Sequence, residues 1–78
     1  MTVAGFDRIT IDAKQMNGQP GVRGMRLTVG RVLEIIALYP DRAELLREFP
    51  ELQEDDLKQV LEFAAANIAD QALDIAVA

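Results

Sequence analysis

The hydrophobic period of this chain changes once, at Val29, and that change sets what it can fold into. Before it, Arg8-Ile9-Thr10-Ile11-Asp12 alternates polar and apolar residues, the period of a half-buried strand. After it, Val29, Val32, Leu33 and Ile36 recur at i, i+3, i+4 and i+7, one face of a helix. Thr28 stands where an N-cap belongs. Pro40 ends this helix near Leu38 or Tyr39, since the residue before a proline avoids helical backbone. Asp41-Arg42-Ala43-Glu44 has the capping-box spacing and opens a second helix, with Leu45, Leu46 and Phe49 as its apolar side and Pro50 as its stop. In the third helix, Gln53 as N-cap makes Leu52 and Leu57 a hydrophobic-staple pair, while Glu54, Asp55 and Asp56 suit the positive end of the helix dipole. Its buried stripe is expected to be Leu57, Val60, Leu61, Ala64 and Ile68, and the pattern runs on through Ala72, Leu73, Ile75 and Val77.

Ahead of the helices, residues 13–21 read as a loop, with Asn17-Gly18 and Pro20-Gly21 as turn signals. Val22 to Val29 reads as extended again, with Met25, Leu27 and Val29 on one face and Gly24 where a bulge is tolerated. Residues 1–7 read as a flexible leader. Helices two and three are joined by only Pro50 to Gln53, the geometry of a steep crossing. The expected architecture is therefore mostly α: a tri-helical, helix-turn-helix-like core with a short N-terminal two-stranded β-ribbon. Residues 8–78 form one domain, with ribbon and loop over 8–29 and helices over 29–78.

A domain of 78 residues has a thin stability margin, so disulfides, metals or partner subunits are its usual reinforcements. Cys and His are both absent, which removes disulfides, thiolates and the usual transition-metal ligands. Ser is absent as well, so Ser–His, Cys–His and metal-hydroxide chemistries have no residues to run on. The expectation is a protein that is not an enzyme, without cofactor or metal, reinforced by a second copy in a homodimer. No uncharged apolar run approaches the roughly 20 residues that span a bilayer. The first residues lack the basic start and apolar stretch of a signal peptide. A cytoplasmic protein without a membrane partner is expected.

Charge is uneven. Residues 1–40 carry five bases and three acids, a net +2, and residues 41–78 carry three bases and ten acids, a net −7. Arg23, Arg26 and Arg31 are the densest positive charge. They are candidates for nucleic-acid or partner contact, as in ribbon-type DNA readers. Equally, they can pair with acids of helices two and three, which the acid excess favours. Helix three itself is a poor major-groove reader, because Glu54, Asp55, Asp56 and Glu62 repel phosphate. Gly18, Pro20 and Gly24 lack the spacing of a phosphate-binding loop and read as turns. On the last helix Ala65, Ile68, Ala69, Ala72 and Leu73 form a second apolar stripe, expected to be an oligomer or partner interface.

Arg8-Ile9-Thr10, Asp12, Gly18-Gln19-Pro20, Val22-Arg23-Gly24, Arg26-Leu27 and Val29, followed by Glu48-Phe49-Pro50-Glu51-Leu52 and Leu57, resemble the two signature blocks of family 433 of bacterial domains of unknown function. The resemblance covers residues 8 to about 66. Ala13, Gly21 and Met25 depart from the usual proline, small apolar residue and threonine. The resemblance implies a homeodomain-like tri-helical fold. It also implies a small antitoxin: many relatives are encoded beside a PIN-like ribonuclease, and antitoxins of this style dimerise, mask the toxin and bind operator DNA. The other function consistent with the residues is a homo-oligomeric interaction module without DNA binding.

Overall fold

A computed structural model describes residues 1–68. The elements in chain order are β1 (Thr2–Val3), β2 (Phe6–Thr10), a 3-10 turn (Met16–Gly18), β3 (Gly21–Val22), α1 (Val29–Leu38), α2 (Arg42–Glu48) and α3 (Glu54–Ile68). The strands form one antiparallel sheet in the order β1-β2-β3, with Thr2 opposite Thr10 and Ile9 opposite Val22. One core joins sheet and helices: Ile9 and Val22 from the sheet, Val29, Val32 and Ile35 from α1, Leu45 from α2, Leu52, and Leu57 and Val60 from α3. α3 packs on both α1 and β2.

The expected mostly α core with a two-stranded ribbon is thus corrected to three helices plus a three-stranded antiparallel sheet. Two local features account for the difference. Residues 1–7 are not a leader. Gly5, at φ +86°, turns the chain so that Thr2–Val3 pairs with β2. Met1 and Ile11 extend this pairing, the Ile11 amide donating to the Met1 carbonyl at 2.9 Å. Phe6 and Val3 pack against the core, and Phe6 meets Phe63 edge-on with ring centroids 5.3 Å apart. The second is the extended run expected over 22–29, of which only Val22 is strand, as the last residue of β3. Arg23 and Gly24 both take left-handed backbone, φ +47° and +71°, and reverse the chain. The Val22 amide then donates to Leu27 O at 3.0 Å, closing a tight loop whose Met25 and Leu27 pack on the core.

The helices follow their local signals. The Thr28 hydroxyl accepts from the Arg31 amide at 3.0 Å and caps α1. Asp41 Oδ1 accepts from the amides of Ala43 and Glu44 and caps α2. Leu52 and Leu57 are both buried around the start of α3, as a staple requires. The stripe of α3 departs from expectation: Leu57 and Val60 are buried, but Leu61 and Ile68 are 42% and 50% exposed, and the charged Asp56 takes the remaining buried position.

Candidate functional site

Asp56 is 0% exposed, and its surroundings are built by three elements. Its place three residues after Gln53 lets Oδ2 reach back to the Gln53 amide at 2.8 Å, the return half of a capping box at the start of α3. From β2, Arg8 Nη1 donates to Oδ1 at 2.8 Å. From the turn after β3, Arg23 approaches side-on, Nε to Oδ1 and Nη2 to Oδ2, both at 2.9 Å. Such paired, charge-assisted bonds are the strong class of hydrogen bond.

The same two arginines reach further. Arg23 Nη2 donates to the Glu51 carbonyl at 2.7 Å, and Arg8 Nη1 to Gln53 Oε1 at 2.8 Å. Gln59 binds β2 beside them, its Oε1 accepting from the Arg8 amide at 2.9 Å and its Nε2 donating to Asp7. Among the described residues no buried side-chain nitrogen or oxygen lacks a partner.

The electrostatics follow. Burial pushes the Asp56 carboxyl up, but the hydrogen bonds from Arg23, Arg8 and the Gln53 amide outweigh it and hold the carboxyl below its ordinary range. The Arg23 guanidinium is held above its ordinary range by the bond to Asp56, against its own desolvation. An ionised carboxylate whose oxygens already accept four hydrogen bonds is a poor general base, so the cluster joins sheet to helix rather than offering chemistry.

The three candidate arginines meet different fates. Arg23 is committed to Asp56. Arg31 stands 3.9 Å from Glu34 on the same helix, an exposed pair that contributes about 0–1 kcal/mol. It borders a cavity of about 410 Å³ with Gln19, Pro20, Thr28 and Gly30. Arg26 is exposed and forms no ion pair or hydrogen bond through its side chain with the described residues.

Of the expected interface, Ala65 and Ile68 are exposed on α3, and Leu61 joins them one turn earlier in a single outward row. Ala69, Ala72 and Leu73 lie outside the described residues. Among the described residues no helix is long and apolar enough to cross a membrane.

Sequence reasoning missed Arg8 and Asp56 as a pair. The available signal was Asp56 standing directly beside Leu57 and one turn before Val60, an acid inside the buried stripe.

No curated protein and no solved structure matches the chain. One family model does, over residues 9–64, a span that holds Arg23, Asp56 and the whole of α1 and α2. The chain belongs to DUF433, a family described as a protein of unknown function.

Proposed function

We propose that this DUF433 protein is a small antitoxin-like interaction protein, not an enzyme, which acts by protein–protein contact with a PIN-like ribonuclease and with a second copy of itself. The observation that carries this reading is the outward row Leu61, Ala65 and Ile68 on α3. Apolar side chains in a row at helical spacing on the solvent side of a small domain mark a contact surface. The sequence after Ile68 is also dominated by Ala, Leu, Ile and Val. The ribonuclease as partner comes from the family resemblance alone.

Operator DNA is the secondary reading, favoured by the exposure of Arg26 and Arg31. It is weakened by Arg23, whose charge Asp56 already neutralises, and by the acidic first turn of α3.

The test is co-expression of the chain with the product of its neighbouring gene, followed by co-purification and light scattering. The complex is expected to survive Arg26→Ala and to be lost in Leu61→Asp/Ile68→Asp while the domain stays folded. Co-purification that is unaffected by the α3 substitutions would remove the row as the contact surface.

A further inference from the structure

The chain has two asparagines, Asn17 and Asn67, and only Asn17 is followed by glycine. Beyond marking a turn, that pair is chemically reactive. The side-chain carbonyl carbon of an asparagine is open to attack by the main-chain nitrogen of the next residue. Glycine has no Cβ to hinder the approach, whereas Ile68 after Asn67 is β-branched and does hinder it.

The fold holds Asn17-Gly18 in an unreactive form. Asn17 is exposed to water, with left-handed backbone at φ 57° and ψ 32°. Ring closure needs the Gly18 nitrogen eclipsed with the Asn17 Cβ about the Cα–C bond, and a ψ of 32° places it nearly opposite instead. The same nitrogen donates its proton to Gln15 O at 2.9 Å, and an amide must give up that proton to attack. This guard is light. Met16, Asn17 and Gly18 are all left-handed, at φ +51°, +57° and +76°, a conformation that L-residues adopt reluctantly. No residue of the 3-10 turn is buried, and the Gln19 amide closes it on Met16 O at 3.0 Å. A segment with so little buried opens at a lower free energy than the whole domain unfolds.

We propose that Asn17 is a modification site of this chain, a deamidation site guarded by the 3-10 turn and released by local opening of that turn. In the open turn the Gly18 nitrogen loses its proton and bonds to the Asn17 side-chain carbonyl carbon, and the side-chain nitrogen leaves as ammonia. Water then opens the cyclic imide at either carbonyl, giving aspartate or isoaspartate, with no change of oxidation state. Either product adds a negative charge, and isoaspartate also adds a methylene to the main chain. The site is independent of the α3 contact surface.

The test holds the full chain in mildly alkaline buffer, folded and in denaturing urea, and follows Asn17 and Asn67 by peptide mass mapping with an isoaspartate assay. Asn17 is expected to convert in urea well ahead of Asn67, and at least about tenfold more slowly in the folded chain. The folded rate should still exceed the urea rate multiplied by the unfolded fraction. It should be unchanged in Asp41→Ala, which weakens the α2 cap and leaves the turn intact. Equal rates in the folded and unfolded chain would remove the guard. A folded rate at or below that product, or one that rises in Asp41→Ala in step with lost stability, would overturn local opening. Absence of conversion at Asn17 in urea would remove the site. Should Asp41→Ala fail to fold, the wild-type rates still decide.

Discussion

Replacing Asp56 by alanine tests the central packing argument. The substitution removes four hydrogen bonds at once and leaves two guanidinium groups without their carboxylate. Breaking a buried ion pair by deleting one partner costs about 3–5 kcal/mol. The side chains of Arg8 and Arg23 are 25% and 32% exposed, so water reaches them once the carboxylate is gone. The lower end applies, about 3 kcal/mol. At roughly 0.05–0.15 kcal/mol per residue, a domain of this size has about 4–12 kcal/mol in total, so the loss is a large share. Each kcal/mol lowers the melting temperature of so small a domain by about 4–8 °C, which predicts a fall of about 12–24 °C. Circular-dichroism melts with a urea titration read it directly. Arg8→Ala should cost clearly less in the Asp56→Ala background than alone, because the bond it removes is already broken. An Asp56→Ala melting temperature within about 4 °C of wild type would refute the argument, since that shift is worth only about 1 kcal/mol.

Four further outcomes are expected. The Asp56 carboxyl is held down in the folded state, so its stabilisation is complete above the unfolded value near about 3.9 and is lost as pH falls through its lower folded value. Melts from pH 7 to 2 should steepen below about pH 4 in wild type and less so in Asp56→Asn, which carries no charge to protonate. Arg23→Ala should lower the melting temperature and Arg26→Ala should leave it unchanged, with any DNA affinity following the opposite order. Leu61→Asp/Ile68→Asp should abolish self-association in light scattering, because it places charge on the row that a second copy would cover. Asp41→Ala should cost about 1 kcal/mol in the same melts through loss of the α2 cap.

The helices were legible because their determinants lie within a few adjacent residues. Thr28 and Pro40 bracket α1, Asp41 and Pro50 bracket α2, and the Leu52–Leu57 staple marks the entry to α3. The strands were less so, because pairing depends on partners distant in the chain. Thr2–Val3 carries no alternation of its own and becomes a strand only against Thr10. Arg23 looked like the middle of an extended run until its left-handed backbone turned it toward α3. Asp56 had the composition of an ordinary first-turn acid. Its place in the buried stripe was a local signal, but the partners that meet it there are two arginines 33 and 48 residues away, which no local pattern names. The arginine trio divides between its two expected readings: Arg23 pairs with an acid of the third helix, as the acid excess favours, while Arg26 and Arg31 stay on the surface.

That tie bears on how the folded chain opens. The Arg23 amide donates to the Arg8 carbonyl at 2.8 Å, so the two arms gripping Asp56 are themselves joined through the backbone. α3 cannot fray at its first turn without drawing an ionised carboxylate away from both arms, and neither arm can leave alone without exposing the other. Partial opening thus has no cheap intermediate at this end. In native-state hydrogen exchange, the Gln53 amide, bonded to Asp56 Oδ2, should exchange only when the whole domain unfolds. Among the described residues, the stretch from Ala65 to Ile68 forms no ion pair, and its amides should exchange through smaller openings than that of Gln53. The start of α3 is then the slowest part of the helix, because the sheet holds it from two sides.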